Sequence, residues 1–404
     1  MSRPQQPTLR ILGCRGVPAA HGGFETFAEA LALHLVARGW RVVVYGQEHG
    51  ARGQRCDHWN GIERVQFSVP GDGPLATMWF DWLCIGHAAA AGDLCLTLGY
   101  NTAAFNLRLR LAGVPQVINM DGIEWQRAKW GPVARAWLRF NERAAIQVAD
   151  HLIADHPEIA AHLQERMQPG SRGAHPTPIS TIAYGATAPD QASPAAIDRL
   201  RLQPYRYLTL VARPEPENGV LELVRAYGAR RRACTLVVVG DFEADRPYAR
   251  AVRAAAGPDV RFVGPIYDKA DLGAIRRFAL AYLHGHSVGG TNPSLLEAMA
   301  AGNAVLAHDN RFNRWVAGDA ALYYQGPDDL PAALDALLGD IDTLAARRLA
   351  CRARFQERFR WEGVLRDYED LLTHMLPRPQ RVAAMPAPAA QGASPLPRTI
   401  MSGG

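Results

Sequence analysis

The chain has 404 residues, a formal net charge of +5, 48% hydrophobic residues and 21% charged residues. This balance predicts a globular protein of two or three domains and excludes collagen, coiled coils and wholesale disorder. Only two of the 44 basic residues are lysines, Lys129 and Lys269, and no G-x-x-x-x-G-K-[ST] phosphate loop is present.

The six cysteines are scattered without a C-x-x-C pair, which argues against a disulfide framework or a zinc ribbon and favours a reducing cytoplasm. No apolar run approaches the ~20 residues that span a bilayer, and the N-terminal residues lack the apolar region of a signal peptide. We therefore expect a cytoplasmic protein, or one peripheral at the inner face of the plasma membrane. The modest basic surplus, without a recognised nucleic-acid module, argues against a nucleic-acid partner.

Short apolar runs alternate with helical patterns along the chain, which is typical of parallel β-α-β units. The first half predicts a helix at 24–38 and strands at 9–14, 40–46, 63–69, 93–98, 115–121, 151–154 and 179–183. Alternation is lost over 187–204 and restarts with strands at 207–212, 235–240, 260–263, 280–284 and 304–307. Helices are predicted there at 217–230, 248–256, 270–278 and 293–301, with two or three more between 328 and 375.

This pattern predicts an α/β protein with two doubly wound, Rossmann-like domains that face each other across a cleft. We expect an N-terminal domain over 1–186, a linker over 187–204 and a C-terminal domain with closing helices over 205–376. The Pro/Ala-rich residues 377–404 predict a disordered tail. Ligands bind such folds in the crevice at the carboxyl ends of the strands.

Residues 13–25 (GCRGVPAAHGGFE) join the first predicted strand to the first predicted helix. Gly22 and Gly23 let the backbone approach a ligand closely, and the helix directs its dipole-positive end at the crevice. A phosphate or a sugar hydroxyl suits this position; the alternative is an ordinary loop with a glycine turn. Glu25 in the first turn is either a catalytic carboxylate or a complement to the helix dipole.

The segment HGHSVGGTNPSLLEAMAAG, residues 284–302, carries the strongest signal. Its glycines free backbone N–H groups before the predicted helix, which Thr291 or Asn292 would cap. Glu297 lies about one turn inside, where it could accept hydrogen bonds from a ribose diol. The alternative is a solvated surface glutamate, although the apolar residues that follow make an unpaired carboxylate costly.

Two further positions lie at the ends of predicted strands in the second half. In VARPEPENG, Arg213 could bind a phosphate bidentately, and the alternative is a surface arginine of an arginine-rich chain. His284 and His286 have an i, i+2 spacing that could suit a metal. No further ligands complete such a site in the sequence nearby, so we expect structural or substrate hydrogen bonds instead.

Four segments, RGVPAAHGGFETFAEALALHL, NMDGIEWQRAKW, VARPEPENG and GHSVGGTNPSLLEAMAAGNAVLAHDNRFNR, resemble family 4 of the retaining glycosyltransferases, which have the two-domain GT-B fold. Within the family the chain is similar to bacterial rhamnosyl- and galactosyl-type transferases of polysaccharide assembly. The resemblance implies transfer of a hexosyl or deoxyhexosyl group from a nucleotide diphosphate sugar to a saccharide acceptor, such as a polyprenyl-diphosphate-linked one. It implies no metal or other cofactor.

The resemblance also implies roles for particular residues. Glu297 resembles the second glutamate of the family's E-x7-E motif, which binds the ribose. Arg213 resembles the arginine that neutralises the donor diphosphate. The other donor-binding positions that it implies are Gly22, Gly23, Asn218, Gly264, Ile266, His286, Gly290, Thr291 and Asn292. Two departures stand out: Gly289 replaces the first glutamate of the motif, and Asn218 replaces the lysine that partners the arginine. Neither lysine of the chain matches a donor-site position.

The segment NMDGIEW places Asp121 and Glu124 at a predicted strand end, where they could orient or deprotonate an acceptor hydroxyl. The alternative is a helix-capping aspartate and a surface glutamate. Residues 125–143 then hold five basic residues and one acid, interleaved with aromatic residues. They could dock on an anionic membrane face, or the aromatics could pack in the core beneath solvated arginines.

Three other functions stay open. A sugar-nucleotide epimerase can share the fold and would release a changed sugar nucleotide without an acceptor. A nicotinamide-dependent oxidoreductase is disfavoured by the missing dinucleotide fingerprint. A non-catalytic sugar-nucleotide-binding protein is favoured by Gly289 and opposed by Glu297 and Arg213.

Overall fold

The computed structural model of the protein describes residues 6–19, 22–127, 129–167, 176–243 and 246–376. The predicted tail over 377–404 lies outside the described residues. Within the described ranges, no helix combines the length and the apolar character needed to cross a membrane.

An eight-stranded sheet forms the N-terminal half, in the order β3-β4-β2-β1-β5-β6-β7-β8. Its strands are β1 Thr8–Leu12, β2 Arg41–His49, β3 Gly53–Trp59, β4 Ile62–Val69, β5 Leu94–Leu98, β6 Gln116–Asn119, β7 His151–Ala154 and β8 Ile179–Thr181. The helices around it are α1 Gly23–Ala37, α2 Pro74–Ala91, α3 Leu107–Leu111, α4 Pro132–Val148 and α5 Pro157–Arg166. Buried apolar residues of β1, β2 and β5 pack against α1 to form the core of this half.

Strand β3 was not predicted, and it is antiparallel to β4 in a sheet that is otherwise parallel. The two strands form a hairpin whose turn residues, Asn60 and Gly61, both have positive φ, as a two-residue type I′ turn requires. Most side chains of β3 are exposed, so the strand lacks the apolar run on which the other strand predictions depend.

A six-stranded parallel sheet forms the C-terminal half, in the order β11-β10-β9-β12-β13-β14. Its strands are β9 Tyr207–Val211, β10 Thr235–Val239, β11 Val260–Phe262, β12 Ala281–His284, β13 Ala304–His308 and β14 Leu322–Tyr324. The helices are α6 Ala195–Arg199, α7 Val220–Gly228, α8 Pro247–Ala254, α9 Lys269–Arg277, α10 Pro293–Ala300, α11 Arg311–Ala317, α12 Leu330–Gly339, α13 Ile341–Arg358 and α14 Trp361–Met375. Helix α6 falls in the predicted linker, where its Ile197 is buried in a cluster with Val237 and Ile275.

The three closing helices divide between the two halves. Helices α12 and α13 pack on the C-terminal core, whereas α14 packs on α1, with the rings of Tyr368 and Phe27 4.6 Å apart. The Tyr368 hydroxyl also accepts a hydrogen bond from Asn119 Nδ2 at 2.7 Å, at the end of β6. The end of the described chain therefore supports the edge of the N-terminal sheet from which Asp121 extends.

The predicted architecture is confirmed: two doubly wound, Rossmann-like units face each other across a cleft. Strands β6 and β7 end at Asn119 and Ala154 on one side, and strands β9 and β12 end at Val211 and His284 on the other. The loops that follow these strands meet in the cleft, which places the candidate functional residues there.

Candidate functional site

A cleft of about 590 Å³ lies between the two halves. The N-terminal half contributes Asp121, Arg127 and Asp155 to its walls. The C-terminal half contributes the loops at the carboxyl ends of its strands, and their lining residues fall within 211–218, 239–246, 265–267 and 286–294. Polar groups of both halves therefore face one space, large enough for a nucleotide-sized ligand.

Helix α10 directs its N-terminus into this cleft. Asn292 is its N-cap, with its side-chain oxygen accepting a hydrogen bond from the backbone N–H of Ser294 at 3.0 Å, and Pro293 occupies the first turn. The backbone N–H of Thr291 donates to Asp155 Oδ2 at 2.9 Å, and the Thr291 hydroxyl donates to the Asp155 carbonyl at 2.5 Å. The Thr291 amide, predicted to meet a ligand, thus binds the opposite half in this structure.

Gly290 lies directly against Asp155. A Cβ atom at Gly290 would lie 2.2 Å from Asp155 Oδ1, so the close approach of the two halves requires glycine here. Asp155 Oδ1 is buried and has no hydrogen-bond partner among the described residues. Burial raises the pKa of Asp155 well above its ordinary value, and the nearby Asp121 carboxylate raises it further.

Sequence reasoning missed Asp155, although a usable signal was present. Asp155 directly follows β7, and Asp121 follows the neighbouring parallel strand β6 by two residues. Carboxyl ends of adjacent parallel strands share one edge of a sheet, so polar residues at both ends are expected to lie close together.

Asp121 lines the cleft in a left-handed backbone conformation, φ +51°, with its N–H donating to Asn119 Oδ1 at 2.8 Å. Burial raises the pKa of Asp121, and the Arg127 charge opposes that rise. The structure leaves Asp121 as the better placed of the two predicted acceptor-side carboxylates.

Both oxygens of the Glu124 carboxylate, predicted to orient or deprotonate an acceptor hydroxyl, have partners within the protein. It lies 2.6 Å from Arg127 Nε and 2.8 Å from Lys129 Nζ, and it accepts a hydrogen bond from Trp130 Nε1 at 3.0 Å. These donors occupy both of its oxygens, so Glu124 serves as a counter-ion that positions two cations.

Arg213 follows β9 and lines the cleft, and its guanidinium has no carboxylate partner among the residues that the structure describes. Asn218 donates its side-chain N–H to the Arg213 carbonyl at 2.9 Å, which fixes the loop that carries the arginine. Gly219, with φ +61°, closes that loop where a Cβ would lie 2.6 Å from the Gly285 carbonyl oxygen. The Asn218 amide is therefore bonded to the protein backbone.

His286 lines the same cleft, and its ring stacks on that of His284 with centroids 4.4 Å apart. Burial, together with the Arg213 and Arg127 charges, lowers the pKa of His286 to about 3, so the ring is neutral at physiological pH. The described ranges contain no group of three or more His, Cys, Asp or Glu side chains placed to hold a metal ion.

The other predicted donor positions lie at different depths. Ile266 lines the cleft beside Tyr267, an exposed ring that sequence reasoning missed. Gly264 is not among the residues that line the cleft, and its carbonyl accepts a hydrogen bond from the Gly240 N–H at 3.1 Å. Glu297 does not line the cleft: it is half-exposed, and its Oε2 lies 2.6 Å from Nη2 of the buried Arg276. The ion pair with Arg276 supplies the partner that a carboxylate needs among apolar residues.

The predicted glycine pair, Gly22 and Gly23, begins α1 outside the 590 Å³ cleft. Gly22 has extended backbone, φ −179°, so its role does not depend on a left-handed conformation. A Cβ at Gly23 would lie 3.9 Å from Pro293 Cγ, which places the N-termini of α1 and α10 side by side. Glu25 Oε1 accepts a hydrogen bond from the Arg15 N–H at 3.0 Å and so fixes the loop before α1.

A second cavity of about 520 Å³ lies inside the N-terminal half, and its walls are mostly apolar. Its wall residues include Phe24 and Glu25 of α1, Met78, Phe80 and Ile85 of α2, and Ala134, Trp137 and Leu138 of α4. A chamber of about 230 Å³ shares wall residues with this cavity and with the 590 Å³ cleft. The three spaces form one series from the C-terminal half into the N-terminal half.

Asp81 in the apolar cavity predicts a pH dependence of stability. Burial raises its pKa to about 6, while the Thr102 hydroxyl donates to its Oδ2 at 2.7 Å. At pH values between the pKa of Asp81 in the unfolded chain and about 6, the native state binds more protons than the unfolded state. The free energy of unfolding therefore falls as pH rises through this range. Asparagine does not titrate, so the free energy of unfolding of Asp81→Asn should rise relative to that of wild type by about 3 kcal/mol when the pH is raised from about 4 to about 7.

Urea unfolding at the two pH values measures this difference. The exposed Asp328→Asn is the matched control and should show no such gain. Parallel pH profiles of Asp81→Asn and wild type would contradict the assignment of the titration to Asp81.

Residues 125–143 do not form one outward-facing basic surface. Trp125 Nε1 donates to Glu142 Oε2 at 2.8 Å and Trp137 Nε1 donates to the Asn101 carbonyl at 2.9 Å, so both rings are held by the protein. Arg127 and Lys129 line the 230 Å³ chamber. Two of the five cations of the segment thus pair with Glu124 at the chamber, and the membrane contact of the segment stays a prediction.

Comparison with family models gives a match in each half. Residues 205–340 match "Glycosyl transferases group 1", and residues 6–187 match a domain of unknown function, DUF1972. The similarity to group 1 glycosyl transferases thus covers most of the C-terminal half. No curated protein sequence matches the chain.

Several solved structures are similar to the chain over both of its halves. A sucrose-phosphate synthase from Thermosynechococcus elongatus has a TM-score of 0.75 at 19% identity, covering 92% of this chain and 99% of that one. An α,α-trehalose-phosphate synthase (UDP-forming) from Burkholderia xenovorans, in complex with glucose-6-phosphate, has a TM-score of 0.71 at 14% identity, with 91% and 100% covered. HepE from Anabaena in complex with UDP has a TM-score of 0.69 at 15% identity, with 91% and 100% covered. The fold is therefore that of the GT-B glycosyltransferases.

Proposed function

We propose that the protein is a retaining glycosyltransferase of family 4, which transfers a hexosyl or deoxyhexosyl group, such as rhamnosyl, from a nucleotide diphosphate sugar. The observation that carries the proposal is the 590 Å³ cleft. In it the unpaired Arg213 and the N-terminus of α10, both from the group 1 domain, face Asp121 of the other half. The resemblance of four sequence segments to rhamnosyl- and galactosyl-type members supports the subgroup, and HepE with its bound UDP supports a nucleotide ligand.

The chemistry of the cleft suits departure of a diphosphate. Negative charge grows on the leaving group as the glycosidic bond breaks, and pre-positioned donors stabilise that charge. Arg213 supplies a full positive charge, and α10 adds the positive end of its dipole. Asp121 on the opposite wall orients the acceptor hydroxyl, and the leaving phosphate helps to take up its proton during attack on the same face.

The acceptor in this proposal is a saccharide linked to polyprenyl diphosphate, in exopolysaccharide, capsule or O-antigen assembly. The apolar 520 Å³ cavity supports it, since its walls include the first turns of α2 and α4. Those turns also carry Leu75 and Val133, which are 81% and 86% exposed, and Phe140 lies further along α4. Such side chains at the rim of an apolar cavity favour contact with a lipid surface.

Replacing the two rim residues tests the membrane contact. We expect Leu75→Ser/Val133→Ser to bind vesicles of phosphatidylglycerol and phosphatidylcholine at least ~5-fold more weakly than wild type, because two apolar side chains no longer enter the interface. Sedimentation with the vesicles measures the bound fraction. Leu349→Ser, equally apolar and 72% exposed on α13, is the matched control. Equal binding by wild type and the double variant would remove the membrane contact from the proposal.

A thermal-shift screen of the full chain tests the donor class. UDP, TDP and GDP, with their sugars, are the probes, and ligand at ~100 times its Kd stabilises a protein by about 2.7 kcal/mol, a shift of several degrees. We expect one nucleotide family to raise Tm, and its sugar to be consumed only when an acceptor is present. Consumption without an acceptor would instead indicate an epimerase, and binding without turnover would indicate a sugar-nucleotide-binding protein.

A further inference from the structure

The 230 Å³ chamber brings together three cations from two parts of the chain. Arg127 and Lys129 come from the loop before α4, and Arg213 comes from the end of β9 in the other half. Arg127 and Arg213 also line the 590 Å³ cleft, and both lower the pKa of His286. The walls of the chamber also hold the carboxyl groups of Asp121 and Glu124, which offset part of this positive charge.

One buried carboxylate positions the two cations of the N-terminal half. Glu124 Oε2 lies 2.6 Å from Arg127 Nε, and Glu124 Oε1 lies 2.8 Å from Lys129 Nζ. The backbone N–H of Glu124 donates to the Tyr100 hydroxyl at 2.8 Å, which fixes the turn that carries it. The loop therefore holds its cations in place before any ligand binds.

Arg127 retains its capacity to bind an anion. Its Nε lies against Glu124, while its two Nη atoms donate no hydrogen bond to another described residue. The planar pair of Nη groups matches two oxygens of a phosphate. Asp121 and Asp155 lie close enough to influence it electrostatically, but neither forms an ion pair with it.

Among the described residues of the C-terminal half, Arg246 also lines the cleft, and it lies 3.8 Å from Glu215 Oε1 in an ion pair. Asn218 is uncharged, and its amide binds the Arg213 carbonyl. On the opposite side, Arg127 and Lys129 share the single carboxylate of Glu124, so this group keeps a net positive charge opposite Arg213.

We propose that Arg127, assisted by Lys129, binds a phosphate or diphosphate group of a substrate from the N-terminal half, opposite Arg213. The bound anion joins the two halves of the cleft and offsets the charge that converges there. This inference rests on the proposed function and assigns it a second phosphate-binding element. The group belongs to the diphosphate of the donor or to the phosphate next to the acceptor saccharide, and the experiment separates these sources.

Calorimetric titration of the full chain with inorganic pyrophosphate, UDP, TDP and GDP tests the assignment. We expect Arg127→Gln to weaken pyrophosphate binding at least ~10-fold, Lys129→Gln about 3-fold, and Arg127→Lys less than Arg127→Gln because it keeps the charge. Arg143→Gln, exposed on α4, removes the same charge outside the chamber and should bind within about twofold of wild type. The slope of binding against salt should fall for Arg127→Gln, which a purely structural role would not produce.

The pattern across ligands identifies the source of the group. Weaker binding of nucleoside diphosphates to Arg127→Gln assigns it to the donor. An unchanged nucleotide Kd with a raised KM for a polyprenyl-diphosphate-linked acceptor assigns it to the acceptor. Pyrophosphate, nucleotide and acceptor constants all within twofold of wild type would overturn the inference.

The same titrations separate this inference from the proposed function. Nucleotide binding that is lost in Arg213→Gln and kept in Arg127→Gln, with the acceptor KM also unchanged, overturns only the role of Arg127. A wild-type protein that binds neither nucleotides nor pyrophosphate overturns both. Equal urea midpoints for the two variants confirm that the comparison is between folded proteins.

Discussion

Replacing Arg213 by glutamine is expected to lower kcat/KM for sugar transfer about 10²–10³-fold, the usual cost of removing one group that stabilises charge in a transition state. The effect should be at the upper end of that range because the adjacent Asn218 amide is bonded to the Arg213 carbonyl and adds no charge. Steady-state kinetics with the nucleotide sugar identified in the thermal screen measure the loss. Charge grows on the departing diphosphate, so kcat should fall more than KM rises.

Arg225→Gln is the matched control for this prediction. It removes the same charge from an exposed position on α7, in the same half of the protein, and should retain kcat/KM within about twofold. An Arg213→Gln enzyme with kcat/KM within about threefold of wild type would show that the leaving group is stabilised elsewhere.

Gly290→Ala is expected to reduce activity by about 10–100-fold. The added Cβ would lie 2.2 Å from Asp155 Oδ1, so α10 and β7 must move apart and the cleft loses its geometry. Overpacking of this kind costs about 1–3 kcal/mol. If that cost destabilises only the arrangement in which the reaction occurs, it corresponds to this loss of rate. Kinetics and urea unfolding, measured together, separate a loss of the closed cleft from a loss of the fold.

Two variants sharpen the test of Gly290. Gly363→Ala on α14 adds the same methyl group where no atom lies within 4 Å, and it should be neutral. Gly290→Ala combined with Asp155→Ala removes the opposing carboxylate and should be less impaired than the sum of the single changes predicts. Full additivity of the two changes would mean that the Gly290–Asp155 contact does not limit activity.

The sequence was sufficient to predict the fold because both sheets are made of buried apolar strands. Each predicted strand is present within a few residues of its expected ends. Strands β3 and β14 were missed, and β3 lacks the apolar run of the other strands because most of its side chains are exposed. The return of α14 to the N-terminal half was not predictable from periodicity, since an amphipathic helix does not specify which sheet it covers.

The placement of Arg213, His286 and Asn292 in one cleft was predictable from the same rule, since each follows a parallel strand at its carboxyl end. Contacts between the halves were not predictable. Gly290 and Thr291 were expected to serve a ligand, yet their closest neighbour is Asp155, about 135 residues away along the chain. Such contacts depend on how two separately folded sheets meet, which local patterns do not encode.

The segment 125–143 shows the same limit at the level of single side chains. Its composition favours a surface, but composition does not record which way a side chain faces. Glu124, just before the segment, forms ion pairs with Arg127 and Lys129 at the chamber, while Val133 and Phe140 remain exposed. One of the two lysines of this arginine-rich chain, Lys129, thus lines the 230 Å³ chamber of the candidate site.

The most direct test of the central claim is mass spectrometry of an acceptor after incubation with the full chain and a panel of nucleotide sugars. The acceptor is a saccharide linked to polyprenyl diphosphate. We expect one nucleotide sugar to increase the acceptor mass by one hexosyl or deoxyhexosyl unit, and Arg213→Gln to abolish most of this gain. A folded wild-type protein that alters the nucleotide sugar while the acceptor gains no mass would contradict it.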